Sequence, residues 1–146
     1  MDKVDKMLVK LLQENARYSL KQLSEQVYLS SPAVASRISK LEESGIITGY
    51  HAAVSSDKLG YHISAFISIS MAPKKKQEFL PFIQKRPNVL ECCIVSGDNT
   101  MIVKAIFAST PDLESFISEI QRYGHTQTQI VLSEPIPYRS VSASME

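Results

Sequence analysis

The spacing of apolar residues changes once along this chain, and that change limits what it can fold into. From Val4 to Leu41 the spacing is helical. Val4, Met7, Leu8, Leu11 and Leu12 make a one-sided stripe, Leu20, Leu23 and Val27 a shorter one, and Val34, Ile38 and Leu41 a third. After Gly45 the pattern turns to β-branched and aromatic runs bounded by turn residues. A helical block therefore precedes a block that must build a sheet.

The second block resolves into ordered elements. GYHAAVSSDKLG (49–60) reads as a short strand and a polar connector, and YHISAFISISM (61–71) as a strand ended by Ala72-Pro73. KKKQEFLPFIQKR (74–86) carries Phe79, Phe82 and Ile83 at helical spacing, with Pro81 expected near its first turn or as a kink. VLECCIVS (89–96) and MIVKAIFA (101–108) form a hairpin around GDNT (97–100). TPDLESFISEIQRYG (110–124) has a Thr cap, Pro at its first helical position and a glycine stop; HTQTQIVLS (125–133) is the last strand. The order β-α-β-β-α-β is the split βαβ, ferredoxin-like arrangement. The expected class is α+β. A three-helix helix-turn-helix domain (1–48) leads through a hinge strand and linker (49–60) to a ferredoxin-like domain (61–134) and a frayed tail (135–146).

Composition narrows the function. Sixteen Lys/Arg face fifteen Asp/Glu, and residues 1–50 hold seven basic against six acidic side chains. A nucleic-acid partner would thus need the cations gathered on one face. No segment approaches the roughly 20 apolar residues that span a bilayer, and the charged N-terminus is unlike a secretory signal, so a cytoplasmic protein is expected. Cys92 and Cys93 are adjacent, would point to opposite faces of a strand, and are expected as buried or half-buried thiols of a reducing compartment. His51, His62 and His125 show no ligand spacing, and no nucleophile–base order or phosphate loop stands out. Neither metal, cofactor nor catalysis is therefore expected.

The third helical segment, SSPAVASRISKL (30–41), is apolar on one arc only. Ser31 is the expected cap with Pro32 at the first helical position, and Ala33, Ser36, Arg37 and Lys40 are expected on the outer side. Small residues there permit close approach to a major groove roughly 12 Å wide. Ser31 and Ser36 would meet phosphates or base edges, Arg37 would read a guanine, and Lys40 would hold a phosphate. A serine-rich basic face is more often plain solvated surface. Its place as the second helix of LKQLSEQVYLSSPAVASRISKLEESGII (20–47), after a short turn, has helix-turn-helix spacing and favours double-stranded DNA.

The chain resembles the leucine-responsive/asparagine regulator (Lrp/AsnC) family of transcription regulators. The residues that carry this are VDKMLVKLLQENARYSLKQLSEQV, LSSPAVASRISKLEESGIITGY, KLGY, VSGDNTMIVKA and TQTQIVL, over about residues 2–134. The resemblance implies a DNA-binding regulator acting as a homo-oligomer, a dimer or an assembly of dimers such as an octamer. It further implies an amino acid or small metabolite bound between C-terminal domains. Carried over by motif, Gly97, Asp98, Asn99 and Thr100 would contribute to that pocket, with Thr126 and Thr128 as weaker contributors. Asn99 and Thr100 replace the aromatic and aspartate usual in the family, which leaves the effector's identity open. Gly97 also has a reading as an ordinary hairpin glycine.

Two other readings stand beside this one. An architectural protein wrapping DNA with little sequence preference would want more positive charge. A ferredoxin-like enzyme or sensor would use the helical block for assembly alone.

Overall fold

The computed structural model describes residues 1–141. It contains two compact units: Met1–Ala53 with the segment from Ile136 on, and Val54–Pro135. The expected frayed tail falls partly on residues 142–146, which lie outside the described residues. Tyr138 and Val141 are strongly exposed, although Gln13 Nε2 donates to the Val141 carbonyl at 2.7 Å.

The first unit holds α1 (Lys3–Glu14), α2 (Leu20–Val27) and α3 (Ser31–Glu43). Leu8, Leu11, Leu23, Val34 and Leu41 form its buried core, drawn from all three apolar stripes. Two reciprocal capping boxes set the helix starts: Asp2 with Asp5 on α1, and Ser19 with Gln22 on α2. Tyr28 ends α2 in the left-handed region at φ 55°, so only Tyr28, Leu29 and Ser30 separate α2 from α3. Gly45, at φ 71°, supplies the stop after α3.

The chain leaving α3 is tied back to it, since Tyr50 Oη donates to Glu42 Oε1 at 2.8 Å. Partial burial, and then the Glu42 carboxylate, push the Tyr50 phenol up to about 12. In a spectroscopic titration Tyr50 should ionise at about 12, and Glu42→Gln should lower that value. Because the folded value is raised, the contribution to stability is complete below pH 10 and is lost as pH rises toward 12. A Tyr50 that titrates at the ordinary value of 10 would show that this bond is not formed in solution.

In the second unit a 3-10 turn (Asp57–Leu59) precedes β1 (Ile63–Ser70), α4 (Pro73–Ile83), β2 (Val89–Ile94), β3 (Met101–Phe107), α5 (Thr110–Ile120) and β4 (His125–Ile130). The strands form one antiparallel sheet in the order β2-β3-β1-β4. Ala65, Ile67 and Ile69 of β1 and Met101, Val103, Ala105 and Phe107 of β3 point to one face. There they bury against Phe79 and Ile83 of α4 and Leu113, Phe116 and Ile120 of α5. Alternation sends Ser64, Phe66, Ser68, Ile102 and Lys104 to the other face, which no helix of the unit covers.

Several local expectations change. The hinge strand expected within 49–60 has no ladder partner among the described residues, and residues 49–55 are exposed. Pro81 lies in the last turn of α4, not the first, because Pro73 already begins the helix. The caps of α3 and α5 are Ser30 and Ser109, one residue before the expected Ser31 and Thr110. Each earlier serine accepts the N–H three residues on, and its carbonyl takes the first helical bond, from Val34 and Leu113. Cys92 and Cys93 are exposed rather than buried, because β2 is an edge strand whose outer rim no element covers.

Candidate nucleic-acid interface and effector turn

α3 presents a narrow outward stripe. Counted at about 100° per residue from buried Val34, Pro32, Ser36, Ser39 and Glu43 fall within about 40° of the opposite side, and Lys40 about 60° from it. All five are exposed. Neither Ser36 nor Lys40 has a side-chain hydrogen bond or ion pair among the described residues. Pro32 and Ser39 were missing from the expected face, although the same count identifies them.

The other expected contacts turn inward. Ser31 is half-buried and its Oγ donates to Ser24 Oγ of α2 at 3.4 Å. Ala33 is half-buried on the flank between Ser36 and Arg37. Arg37 lies about 60° around the axis from Val34, on the side facing α1, not on the outward side where it was expected. Its Nη1 donates to Asp2 Oδ2 and to Asp5 Oδ1, both at 2.7 Å.

Each of those carboxylates does two jobs. Asp2 Oδ1 accepts the Asp5 N–H and Asp5 Oδ2 accepts the Asp2 N–H, closing the capping box and leaving one oxygen apiece for Arg37. The Asp5 N–H, and next the Arg37 guanidinium, hold the Asp2 carboxyl below its ordinary range. The two carboxylates raise the affinity of Arg37 for its own proton. Beside this cluster an open hollow of about 590 Å³ is lined by Asp5, Ala33, Ser36, Arg37, Lys40 and Ile46 among others.

In the second unit the GDNT turn is braced by the end of β1. Ser70 Oγ donates to the Asp98 carbonyl at 2.8 Å and lies 3.2 Å from Asn99 Oδ1. Thr100 donates its N–H to the Ile69 carbonyl, and its hydroxyl accepts from the Met71 N–H at 3.2 Å. Gly97 takes φ 106°, a conformation that favours glycine. Asp98 is exposed, and its carboxylate accepts no hydrogen bond among the described residues.

Thr126 pairs opposite Ile69 and Thr128 opposite Ile67, so both lie on the helix-covered face. Ser70 belongs to the open face. The turn and the two threonines therefore approach the sheet from different sides within one chain. Thr126 Oγ1 accepts from Gln121 Nε2 at 3.3 Å. Ser70 was not expected here, since a serine in an alternating strand carries no sequence sign of bracing a distant turn.

Comparison with known proteins agrees with the two-unit organisation. Residues 1–48 match the family model for a winged helix-turn-helix DNA-binding domain, and residues 64–141 the model for the Lrp/AsnC ligand binding domain. The HTH-type transcriptional regulator LrpA of Bacillus subtilis is 34% identical over 135 residues, spanning 92% of this chain and 99% of that protein. The solved structure of B. subtilis LrpC superposes with a TM-score of 0.88 at 29% identity, covering 92% of this chain and 96% of that one. The transcriptional regulator NMB0573 of Neisseria meningitidis, solved as a complex with L-Met, gives a TM-score of 0.88 at 28% identity, covering 96% and 94%. Among the described residues, no helix is long and apolar enough to cross a membrane.

Proposed function

The chain belongs to the Lrp/AsnC family of transcription regulators, and from that premise we propose that its DNA contact is the outward stripe of α3. Ser36 and Lys40 are the central residues. Ser36 meets base edges, Lys40 meets a phosphate, and half-buried Ala33 keeps the adjoining flank thin enough for the helix to enter a major groove. Ser31 supports the α2–α3 packing and Arg37 faces α1, so neither is assigned a base. One observation carries this reading: the second helix of a helix-turn-helix exposes Ser36 and Lys40, whose side chains make no hydrogen bond or ion pair among the described residues. A chain acting on DNA in this way works in the cytoplasm, as a binding protein rather than a catalyst.

The second unit supplies assembly and control. Its uncovered sheet face carries Phe66, 37% exposed, with Lys104 Nζ 5.6 Å from the ring centroid, and suits contact with another copy of the chain. A dimer would pair two α3 helices on a two-fold operator. For the effector, the Gly97–Thr100 turn offers the Asp98 carboxylate to the ammonium group of an amino acid. Asn99 and Thr100 shape the turn, because their side-chain oxygens are already engaged with β1 and its end. Thr126 and Thr128, on the far face of the sheet, would join such a pocket only through a second chain.

The test is enrichment of DNA from a random duplex pool by the full chain, with and without each amino acid. The reading predicts a two-fold sequence with half-sites about one helical turn apart, or a multiple of it, and a spacing or affinity that responds to an amino acid. Failure to enrich any DNA would favour the sensor reading. Binding with no sequence preference would favour the architectural one.

A further inference from the structure

We propose that Asp2 and Asp5 withhold Arg37 from DNA, so that the cap of α1 acts as an electrostatic attenuator of non-specific binding by the recognition helix. This deepens the DNA-binding reading and rests on it.

The geometry makes the carboxylates a substitute for phosphate. Both protons of Arg37 Nη1 are taken, one by each aspartate at 2.7 Å, and charge-assisted bonds of that length are the kind a phosphate oxygen would otherwise supply. The cluster sums to one positive and two negative charges, so it carries −1 where a lone arginine would carry +1. That −1 sits on the flank adjoining Ser36 and Lys40, in the hollow they share with Asp5 and Arg37. Approaching phosphates therefore meet the free ammonium of Lys40 and beside it a neutralised guanidinium.

The cluster is also built to persist. Asp2 and Asp5 are fixed by their capping box, so they need no rearrangement to hold Arg37. The Asp5 side chain is 19% exposed and that of Arg37 33%, against 53% for Asp2. Asp5 is thus the better shielded partner. The consequence is specificity. Non-specific affinity grows with each phosphate neutralised, so withholding one cation weakens binding to all sequences alike and leaves base contacts to discriminate.

The experiment measures binding of the full chain to a random-sequence duplex of about 30 base pairs across a range of salt concentrations. Four proteins are compared: the parent, Asp2→Asn/Asp5→Asn, Arg37→Gln, and the triple variant. Asparagine caps a helix as well as aspartate does, so α1 should remain folded, which circular dichroism checks. The double variant should bind roughly tenfold tighter at low salt, with a slope of log K against log salt steeper by about 0.9, the increment for one further phosphate. Arg37→Gln in the parent should leave the slope alone, since a cation that meets no phosphate releases no counterion, and the two carboxylates it uncovers should weaken binding modestly by repulsion. The triple variant should lose most of the gain.

A double variant that binds more weakly, or no more steeply with salt, would overturn the inference. A gain that survives in the triple variant would do so as well, by showing a general charge effect. Should the double variant not fold, Arg37→Gln alone still decides: loss of about one phosphate from its slope means that Arg37 already contacts DNA. If the parent shows no affinity for the duplex even at low salt, the DNA-binding reading itself fails and the attenuator falls with it.

Discussion

Gly124→Ala is expected to lower the stability of the second unit by about 2 kcal/mol, within the usual range for overpacking a close contact. For a unit of this size that corresponds to a melting temperature lower by roughly 10 °C. A Cβ placed on Gly124 would lie 2.2 Å from the Ser70 carbonyl oxygen and 2.9 Å from Met71 Cβ. The nearest atom is main chain, at the end of the central strand β1, and cannot swing aside as the tip of a side chain could. Relief requires the α5–β4 connection to move away from β1, or Ser70 to shift. Because Ser70 Oγ holds the Asp98 carbonyl and lies beside Asn99, a shift would also loosen the candidate effector turn. The variant should therefore melt early and respond less to any amino acid that stabilises the parent. A variant with the parent's melting temperature would show that the two loops do not approach this closely in solution.

Gly124 shows how a residue can be noticed in the sequence for the wrong reason. The run ending YG suggests a helix stop, but α5 ends at Ile120, and what excludes a side chain at Gly124 is the close pass of β1. Contacts of that kind join positions more than fifty residues apart, and no local pattern records them. The elements themselves were legible because apolar spacing reports burial directly. The stripes of α1, α2 and α3 supply every buried residue of the first core, and the alternation in ISAFISIS separates the two faces of β1. Element ends were less legible. In SSP and STP either hydroxyl residue can cap, and only the bonds from Ala33 and Asp112 select Ser30 and Ser109.

The helix that carries the candidate site was legible in the sequence, and the directions of its side chains less so. Helix-turn-helix spacing located α3, and Ser36 and Lys40 are exposed on it as the sequence suggested. Arg37 was expected among the groove contacts because arginine reads guanine well. Yet its place about 60° from Val34 already directed it toward α1. That Asp2 and Asp5 wait there is a tertiary fact, with 32 residues or more between partners. The division of Thr126 and Thr128 from the GDNT turn likewise depends on strand register, which sets a residue's face and changes with a shift of one position. Exposure of the two cysteines follows from β2 lying at the sheet edge, and strand order is not written in any single segment.

Ser36→Asp is the second large effect. Ser36 is exposed, sits near the centre of the outward stripe, and makes no side-chain hydrogen bond among the described residues. The substitution should therefore leave the first unit folded, at a cost of at most about 0.5 kcal/mol for a surface change. Against DNA the same carboxylate would face phosphates and base acceptors at close range. Like charges brought together in an interface cost several kcal/mol, and each 1.4 kcal/mol is about tenfold, so binding to an enriched operator should fall by roughly a hundredfold or more. The most direct measurement is the dissociation constant of parent and Ser36→Asp on that operator, with melting temperature recorded alongside. The account predicts a collapse of affinity at unchanged melting temperature. Equal affinity of the two proteins would contradict it, because the outward face of α3 could not then be the surface that meets DNA.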